Sequence, residues 1–182
     1  SKLDKHDHVI FTMKNKSKLI YNDVRKFGFM KVVETDGIDH ISHLKDLGPD
    51  PFETSFNFRY FKKYLVGRSR LIKDLLMDQK FVSGLGNIYV NEILFSCNIL
   101  PTRKILNLKD NEIKKIIKFT KKILKMAISY GGSSIKDFAY DNDKSGSFQE
   151  KLNVYGKSGQ NCSNADCNKK IFKIKLFNRA SF

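Results

Sequence analysis

Apolar and polar residues follow a strand-like pattern at the start of the chain. His8 to Met13 reads HVIFTM, the next four residues are polar, and Lys18 to Tyr21 reads KLIY. This order predicts a strand, a turn and a second strand at the edge of a β-sheet. After a loop, residues 23–30 continue into the apolar segment before Glu34, where a further strand is predicted.

The pattern changes to helical spacing after a segment rich in proline and glycine. That segment, residues 48–51, marks a domain boundary. Beyond it Phe58, Phe61 and Leu65 recur at helical spacing with basic residues between them, which predicts a helix with one apolar and one basic face. The longest helix is predicted from Asn107 to Tyr130, because an apolar stripe runs through it and two glycines follow it.

Between these helices lies a predicted helix, glycine-rich turn and second helix. Leu71 to Met77 has the spacing of a short amphipathic helix, and the turn after it carries two glycines. Asn87 is the predicted N-cap of the second helix, which Pro101 ends. The N–H groups at the start of that helix suit a phosphate, and Arg68 and Arg70 are placed to meet phosphates. On spacing alone, an ordinary helical hairpin packed on its own core is the favoured interpretation.

Composition favours a polyanionic partner. Among 182 residues, 34 Lys and Arg stand against 19 Asp and Glu, for a net charge of +15 and a pI near 9.7. Such a charge fits nucleic acid or an anionic membrane, and a solvated lysine surface is the alternative. No apolar run approaches the ~20 residues of a membrane span, and the first residues do not begin a signal peptide. A soluble intracellular protein with two small cores is therefore expected.

The three cysteines argue against a disulfide framework. Cys162 and Cys167 are separated by four residues, which lies within the range for zinc ligands, although two unrelated thiols fit as well. Cys97 lies on the apolar face of a predicted helix, so it is expected to be buried in the core.

Several stretches resemble one family. DQKFVSGLGNIYVNE, residues 78–92, closely resembles the helix-two-turn-helix segment of the formamidopyrimidine-DNA glycosylases, and KHDHVIF and YNDVRKFGF resemble their N-terminal β-sandwich. Val24 and Lys26 depart from the family's usual proline and arginine. The resemblance implies an α+β fold with three parts. These are the C-terminal part of a β-sandwich at 1–48, a helix-two-turn-helix domain with a lesion-capping loop at 52–152, and the first half of a zinc-finger β-hairpin at 153–182.

The resemblance also implies DNA-binding roles for individual residues. A base that is extruded from a duplex leaves a gap, which an aromatic wedge and an arginine donor can fill. Other matched residues contact the backbone phosphates, and one lies in the loop that closes over the flipped base. The gap-filling pair is Arg25 and Phe27, the backbone contacts are His6, Arg68, Lys73 and Asn87, and the loop residue is Lys144. Without the resemblance, a core aromatic and surface charges would be the simpler interpretation.

A repair reaction follows from the same resemblance. The family excises oxidised purines such as 8-oxoguanine and formamidopyrimidines from duplex DNA and cleaves the abasic strand by β,δ-elimination. Its nucleophile is an N-terminal proline amine followed by glutamate. Ser1 cannot take that role, so this chain is expected to bind DNA weakly and catalyse nothing. Arg179 matches a finger arginine that binds phosphates at the lesion and assists elimination.

The implied cofactor is structural zinc, held by Cys162 and Cys167 with two further ligands beyond the C-terminus. The implied partner is double-stranded DNA containing oxidised bases, bound by a monomer in the bacterial cytoplasm at the nucleoid. Three alternatives stay open. They are an endonuclease VIII-type glycosylase for oxidised pyrimidines, a non-catalytic helix-two-turn-helix nucleic-acid-binding module, and a metal-binding structural protein.

Overall fold

The computed structural model describes residues 3–133 and 147–182. The chain divides into two compact units, Ser1–Ile41 and Ser42–Phe182. A sheet forms in the first unit and helices dominate the second, so the predicted α+β class is confirmed. The finer limits predicted for three domains stay a prediction, and Lys144 lies outside the described residues.

The first unit is built on one antiparallel hairpin. Strand β1 spans Asp7–Thr12 and strand β2 spans Lys18–Asn22, with Ile10 opposite Ile20 in the register. Lys16 takes a positive φ of 63° in the connecting turn. This confirms the strand, turn and strand predicted from alternation, and a short 3-10 helix at Thr35–His40 follows.

The third strand predicted in this unit does not form. Residues 23–34 have no strand assignment, and Val32 is 99% exposed. A strand needs a neighbouring strand to complete its backbone hydrogen bonds, and the sheets formed by the described residues do not include this segment. The prediction was wrong because alternation reports the capacity to form a strand and not the presence of a partner.

Four α-helices form in the described part of the second unit. Helix α4 begins where the Glu112 carboxylate accepts a hydrogen bond from Lys109 N at 2.7 Å, and two positive-φ glycines follow it. Among the described residues, no helix has the length and hydropathy needed to cross a membrane. The helices are α1 at Phe58–Leu65, α2 at Ile72–Met77, α3 at Asn87–Ser96 and α4 at Asp110–Ser129, with 3-10 turns at Ile105–Asn107 and Phe148–Lys151.

Aromatic packing anchors the turn between α2 and α3 to α1. The ring of Phe81, which is fully buried, lies 4.9 Å from Phe61 and 4.7 Å from Tyr64 between centroids. Gly48 lies so close to the backbone of Phe81 that a Cβ at position 48 would be 2.5 Å from the Phe81 carbonyl group. Burying one such ring contributes about 1.5–3 kcal/mol. The core continues through α3 to α4 and includes Cys97 at 4% exposure, as predicted.

A second hairpin lies near the C-terminus. Strand β3 spans Ile174–Leu176 and strand β4 spans Arg179–Ser181. Phe177 and Asn178 form the two-residue turn with φ of 49° and 59°, as a type I′ turn requires. Strand β4 packs on α3, which places the hairpin against the segment formed by α2, the glycine-rich turn and α3. We call this hairpin the finger hairpin.

Candidate nucleic-acid interface

A buried lysine joins α2 to the finger hairpin. The side chain of Lys73 is in the core at 1% exposure. Its Nζ donates hydrogen bonds to the carbonyl oxygen of Ala180 at 2.7 Å and to the hydroxyl of Ser181 at 2.5 Å. Both acceptors belong to β4. The phosphate contact expected of Lys73 stays a prediction, and in this structure its ammonium binds the hairpin.

Asparagines at the start of α3 make further bonds to the same strand. Asn87 Nδ2 donates to Ala180 O at 3.1 Å, and Asn91 Oδ1 accepts from the backbone N–H of Phe182 at 3.0 Å. The predicted N-cap role of Asn87 was wrong. Gly86 occupies the N-cap with extended backbone, and Asn87 is the first helical residue. Its side chain is thereby directed to the hairpin.

The charges at this junction are uncompensated. Burial and, as a smaller cause, the nearby positive charge of Arg179 together lower the pKa of Lys73 to about 8. Arg179 itself is exposed. Among the described residues no carboxylate pairs with either cation. Two adjacent cations without an acid, beside the N-terminus of α3, form an environment that favours an anion.

The two arginines before α2 differ in their surroundings. Arg68 is exposed, stacks on Tyr64 at 4.1 Å and donates to the Tyr64 carbonyl at 2.6 Å. Arg70 instead forms ion pairs with Asp74 at 2.6 Å and Asp78 at 2.7 Å. These carboxylates occupy its guanidinium, contrary to the phosphate contact predicted from its position. Arg68 keeps an accessible guanidinium.

In the first unit, one carboxylate organises the loop that carries the predicted gap-filling residues. Asp23 accepts from the backbone N–H groups of Arg25 at 3.0 Å, Lys26 at 2.9 Å and Gly28 at 2.8 Å. These bonds, with the Gly28 N–H the largest cause, hold the pKa of Asp23 below its usual value. Lys26 takes a positive φ of 55° within this loop. The loop is therefore fixed locally rather than by a sheet.

The two residues that this loop presents lie side by side. The guanidinium carbon of Arg25 is 4.5 Å from the centroid of the Phe27 ring, and that ring is 76% exposed. This exposure excludes the core-aromatic interpretation of Phe27 within the described structure. His6 is half-buried, and its backbone N–H donates to Asp4 at 2.8 Å.

The finger segment brings its two cysteines to one cavity. Both half-buried thiols, of Cys162 and Cys167, line an apolar space of about 630 Å³ together with Ile171 and Phe182. The sulfur of Cys162 accepts a backbone hydrogen bond from Asn164 at 3.5 Å, a contact suited to a thiolate ligand. Within residues 3–133 and 147–182, no group of three or more metal-ligating side chains forms.

Three organising residues were missed from the sequence. Asp23 holds the exposed loop, and Asn91 binds the finger backbone. Glu92, at 2% exposure, accepts from the N–H groups of residues 153–155 at 2.7 to 2.9 Å. For Asn91 and Glu92 the available signal was polarity at otherwise apolar positions of α3, since buried polar groups need partners.

Together these features define the class as a helix-two-turn-helix protein with a cationic surface between its helices and a β-hairpin. Residues 47–139 match the family model of the formamidopyrimidine-DNA glycosylase H2TH domain. The chain belongs to the formamidopyrimidine-DNA glycosylase family.

Relatives and solved structures agree with this assignment. The formamidopyrimidine-DNA glycosylase of Rickettsia massiliae is 41% identical over 181 residues, which are 100% of this chain and 64% of the relative. That of Listeria monocytogenes is 40% identical over 98% of this chain and 65% of its own length. The Lactococcus lactis Fpg complex with abasic-site DNA superposes with a TM-score of 0.89 at 36% identity, covering 100% of this chain and 65% of that one. Thermus thermophilus MutM (Fpg) superposes with a TM-score of 0.87 at 28% identity, covering 99% of this chain and 67% of that one. This chain therefore spans about 64% of the length of the first relative.

Proposed function

We propose that the complete protein to which this chain belongs is a base-excision repair DNA glycosylase that removes oxidised purines and cleaves the abasic strand as an AP lyase. Family membership supports the glycosylase class. The DNA-bound Lactococcus lactis structures, with abasic-site and Fapy-dG DNA, support damaged duplex as the ligand. The reaction would take place in the bacterial cytoplasm at the nucleoid, with the protein acting as a monomer.

One observation carries the DNA-binding part of this proposal. Lys73 and Arg179 lie together beside the amide of Asn87 without any carboxylate partner among the described residues. A DNA phosphate supplies the missing negative charge and accepts hydrogen bonds from guanidinium and amide donors. Arg68, exposed before α2, adds a further phosphate contact. In the reaction, Arg179 would hold the phosphate that leaves during elimination.

The loop of the first unit would act on the base stack. Phe27, exposed and backed by the Arg25 guanidinium, would enter the gap left by the extruded base. Arg25 would donate to the unpaired partner base, and His6 would contact the backbone. Lys144, outside the described residues, keeps its expected role in the loop that closes over the lesion.

Structural zinc is proposed for the finger segment. Two thiols that line the same cavity fit half of a tetrahedral set, so Cys162 and Cys167 would bind zinc with two ligands that the described residues do not supply. Zinc would hold the finger hairpin together and take no part in the chemistry.

Borohydride trapping of the complete reading frame tests the activity. The protein is incubated with duplexes that contain 8-oxoguanine opposite cytosine, an oxidised pyrimidine, or no lesion. Covalent trapping with release of 8-oxoguanine and strand cleavage is expected. Trapping only on the oxidised pyrimidine would instead support the endonuclease VIII-type alternative. Duplex binding without any covalent adduct would support the alternative of a non-catalytic nucleic-acid-binding module.

Salt-dependent binding of this chain tests the interface separately. The Arg68→Ala variant should weaken binding to a duplex with an abasic analogue, and should reduce the slope of log K against log salt by about 1, as for one lost phosphate contact. Arg59→Ala, which removes an exposed arginine from α1, is the matched control. Equal slopes for the two variants would contradict the proposed position of the interface.

A further inference from the structure

Lys73 is bonded in a way that differs from a lysine that contacts DNA directly. Its side chain is 1% exposed, and its ammonium donates to Ala180 O at 2.7 Å and Ser181 Oγ at 2.5 Å. A phosphate that approaches from solvent cannot take these donors unless β4 moves aside. The immediate partner of the ammonium is therefore strand β4 of the finger hairpin.

The strand needs such an anchor. Strands β3 and β4 contain three residues each and pair only with each other among the described residues. A two-stranded hairpin of this size is marginal in water unless it packs on another element. Arg179 directly precedes Ala180, so whatever fixes the Ala180 carbonyl also fixes the backbone from which the Arg179 side chain projects.

We propose that Lys73 is a positioning residue, whose ammonium holds β4 and thereby presents the guanidinium of Arg179 to the DNA phosphate. This inference rests on the proposed phosphate role of Arg179. It assigns Lys73 an action through Arg179, in place of the direct phosphate contact that the family resemblance implied. Asn87 supports the same strand, because its amide shares the Ala180 carbonyl at 3.1 Å.

A double-mutant cycle separates the two roles. Binding of this chain to a fluorescent duplex with an abasic analogue is measured for Lys73→Met, Arg179→Ala and the double variant. Lys73→Met should weaken binding about tenfold, as expected for one charge-assisted hydrogen bond, when Arg179 is present. In the Arg179→Ala background it should have almost no effect. Equal losses in both backgrounds would overturn the proposal. Lys118→Met, at an exposed position of α4, measures the effect of losing one charge.

Ser181→Ala tests the same bond from its other end. It removes one acceptor and leaves the ammonium in place, so a positioning role predicts weaker binding that again depends on Arg179. A direct phosphate contact predicts no loss, because the lysine keeps its charge and gains a free donor. Unchanged binding by Ser181→Ala would therefore contradict the proposal.

Amide hydrogen exchange of the DNA-free chain provides a readout that does not require binding. Lys73→Met should raise the exchange rate of the Arg179 and Ser181 amides, while the α4 amides keep theirs. Unchanged exchange in β4 would overturn the positioning role. If no variant, including Arg68→Ala, alters DNA binding, the proposed interface fails, and the exchange result still decides whether Lys73 holds the strand.

Discussion

Replacing Lys73 should weaken DNA binding without lowering the free energy of unfolding at neutral pH. The side chain is buried, no carboxylate among the described residues pairs with it, and its pKa falls from 10.5 to about 8. Since 1.36 kcal/mol corresponds to one pKa unit, the folded protein disfavours the charged lysine by about 3 kcal/mol relative to the unfolded chain. Lys73 therefore costs stability at neutral pH.

The direction of the pH dependence follows from proton counts. Between pH 8 and pH 10.5 the unfolded chain keeps the Lys73 proton while the folded chain has lost it. Stability rises with pH wherever the unfolded state binds more protons, so the contribution of Lys73 increases by about 3 kcal/mol across this range. The Lys73→Met variant lacks this increase.

At neutral pH two terms oppose each other in Lys73→Met. Removal of the buried charge stabilises the fold by about 3 kcal/mol. Loss of the bond to the Ser181 hydroxyl costs about 1–3 kcal/mol, whereas the Ala180 carbonyl keeps its bond from Asn87. We expect the variant to equal or exceed the native chain in stability at pH 7 and to be less stable near pH 10.5.

Urea unfolding followed by circular dichroism at 222 nm provides the measurement, because the helices lie in the unit that contains Lys73. The difference in the free energy of unfolding between native and variant is taken at each pH, so that the other titrating groups cancel. Lys118→Met, at an exposed site, should show a difference that does not change with pH. A constant difference for Lys73→Met, or a loss of about 3–5 kcal/mol at pH 7 as for a broken buried ion pair, would refute this reasoning.

Three further predictions concern Glu92, Asp23 and Cys97. Glu92→Gln should lower the free energy of unfolding by about 2–3 kcal/mol, because an amide cannot accept all the N–H groups that the buried carboxylate accepts. Glu150→Gln, at an exposed position, should have little effect in the same urea titration. Asp23→Ala should weaken binding to abasic-analogue duplex without changing helical unfolding, since the bonds of the Asp23 carboxylate lie within the first unit; unchanged affinity would argue against that loop as a DNA contact. Cys97, whose pKa burial raises to about 12, should react with a thiol reagent at pH 8 only after unfolding, whereas the two other cysteines react in the folded, metal-free chain.

Local signals predicted the regular elements of this fold. Alternation gave the first hairpin, helical spacing gave α1 and α4, and the apolar position of Cys97 gave its burial. These features depend on residues a few positions apart, so the local sequence is enough to predict them. The missing third strand shows the limit, because strand formation depends on a partner that the alternation of residues 23–34 does not specify.

The candidate site depended on contacts that spacing does not encode. Lys73 and Ser181 are 108 positions apart, yet their bond determines which way the ammonium points. Arg70 looked equivalent to Arg68, but acidic residues at helical spacing, Asp74 and Asp78, occupy it. That second case had a local signal, because Arg70 stands just before α2 and acidic residues follow it four and eight positions later.

Helix α3 explains why the polar residues of the motif are so deeply buried. In its first turns Asn87 and Asn91 bind β4 and the residue after it, and Glu92, which directly follows Asn91, binds residues 153–155. One helix thus holds both ends of the segment that carries Arg179, while its N-terminus lies beside the cations Lys73 and Arg179. These bonds are buried or partly buried, so opening any of them costs polar groups their partners where water has limited access. The helix-two-turn-helix and the finger hairpin should therefore move as one body, and a phosphate bound at the N-terminus of α3 would meet Arg179 in a fixed position.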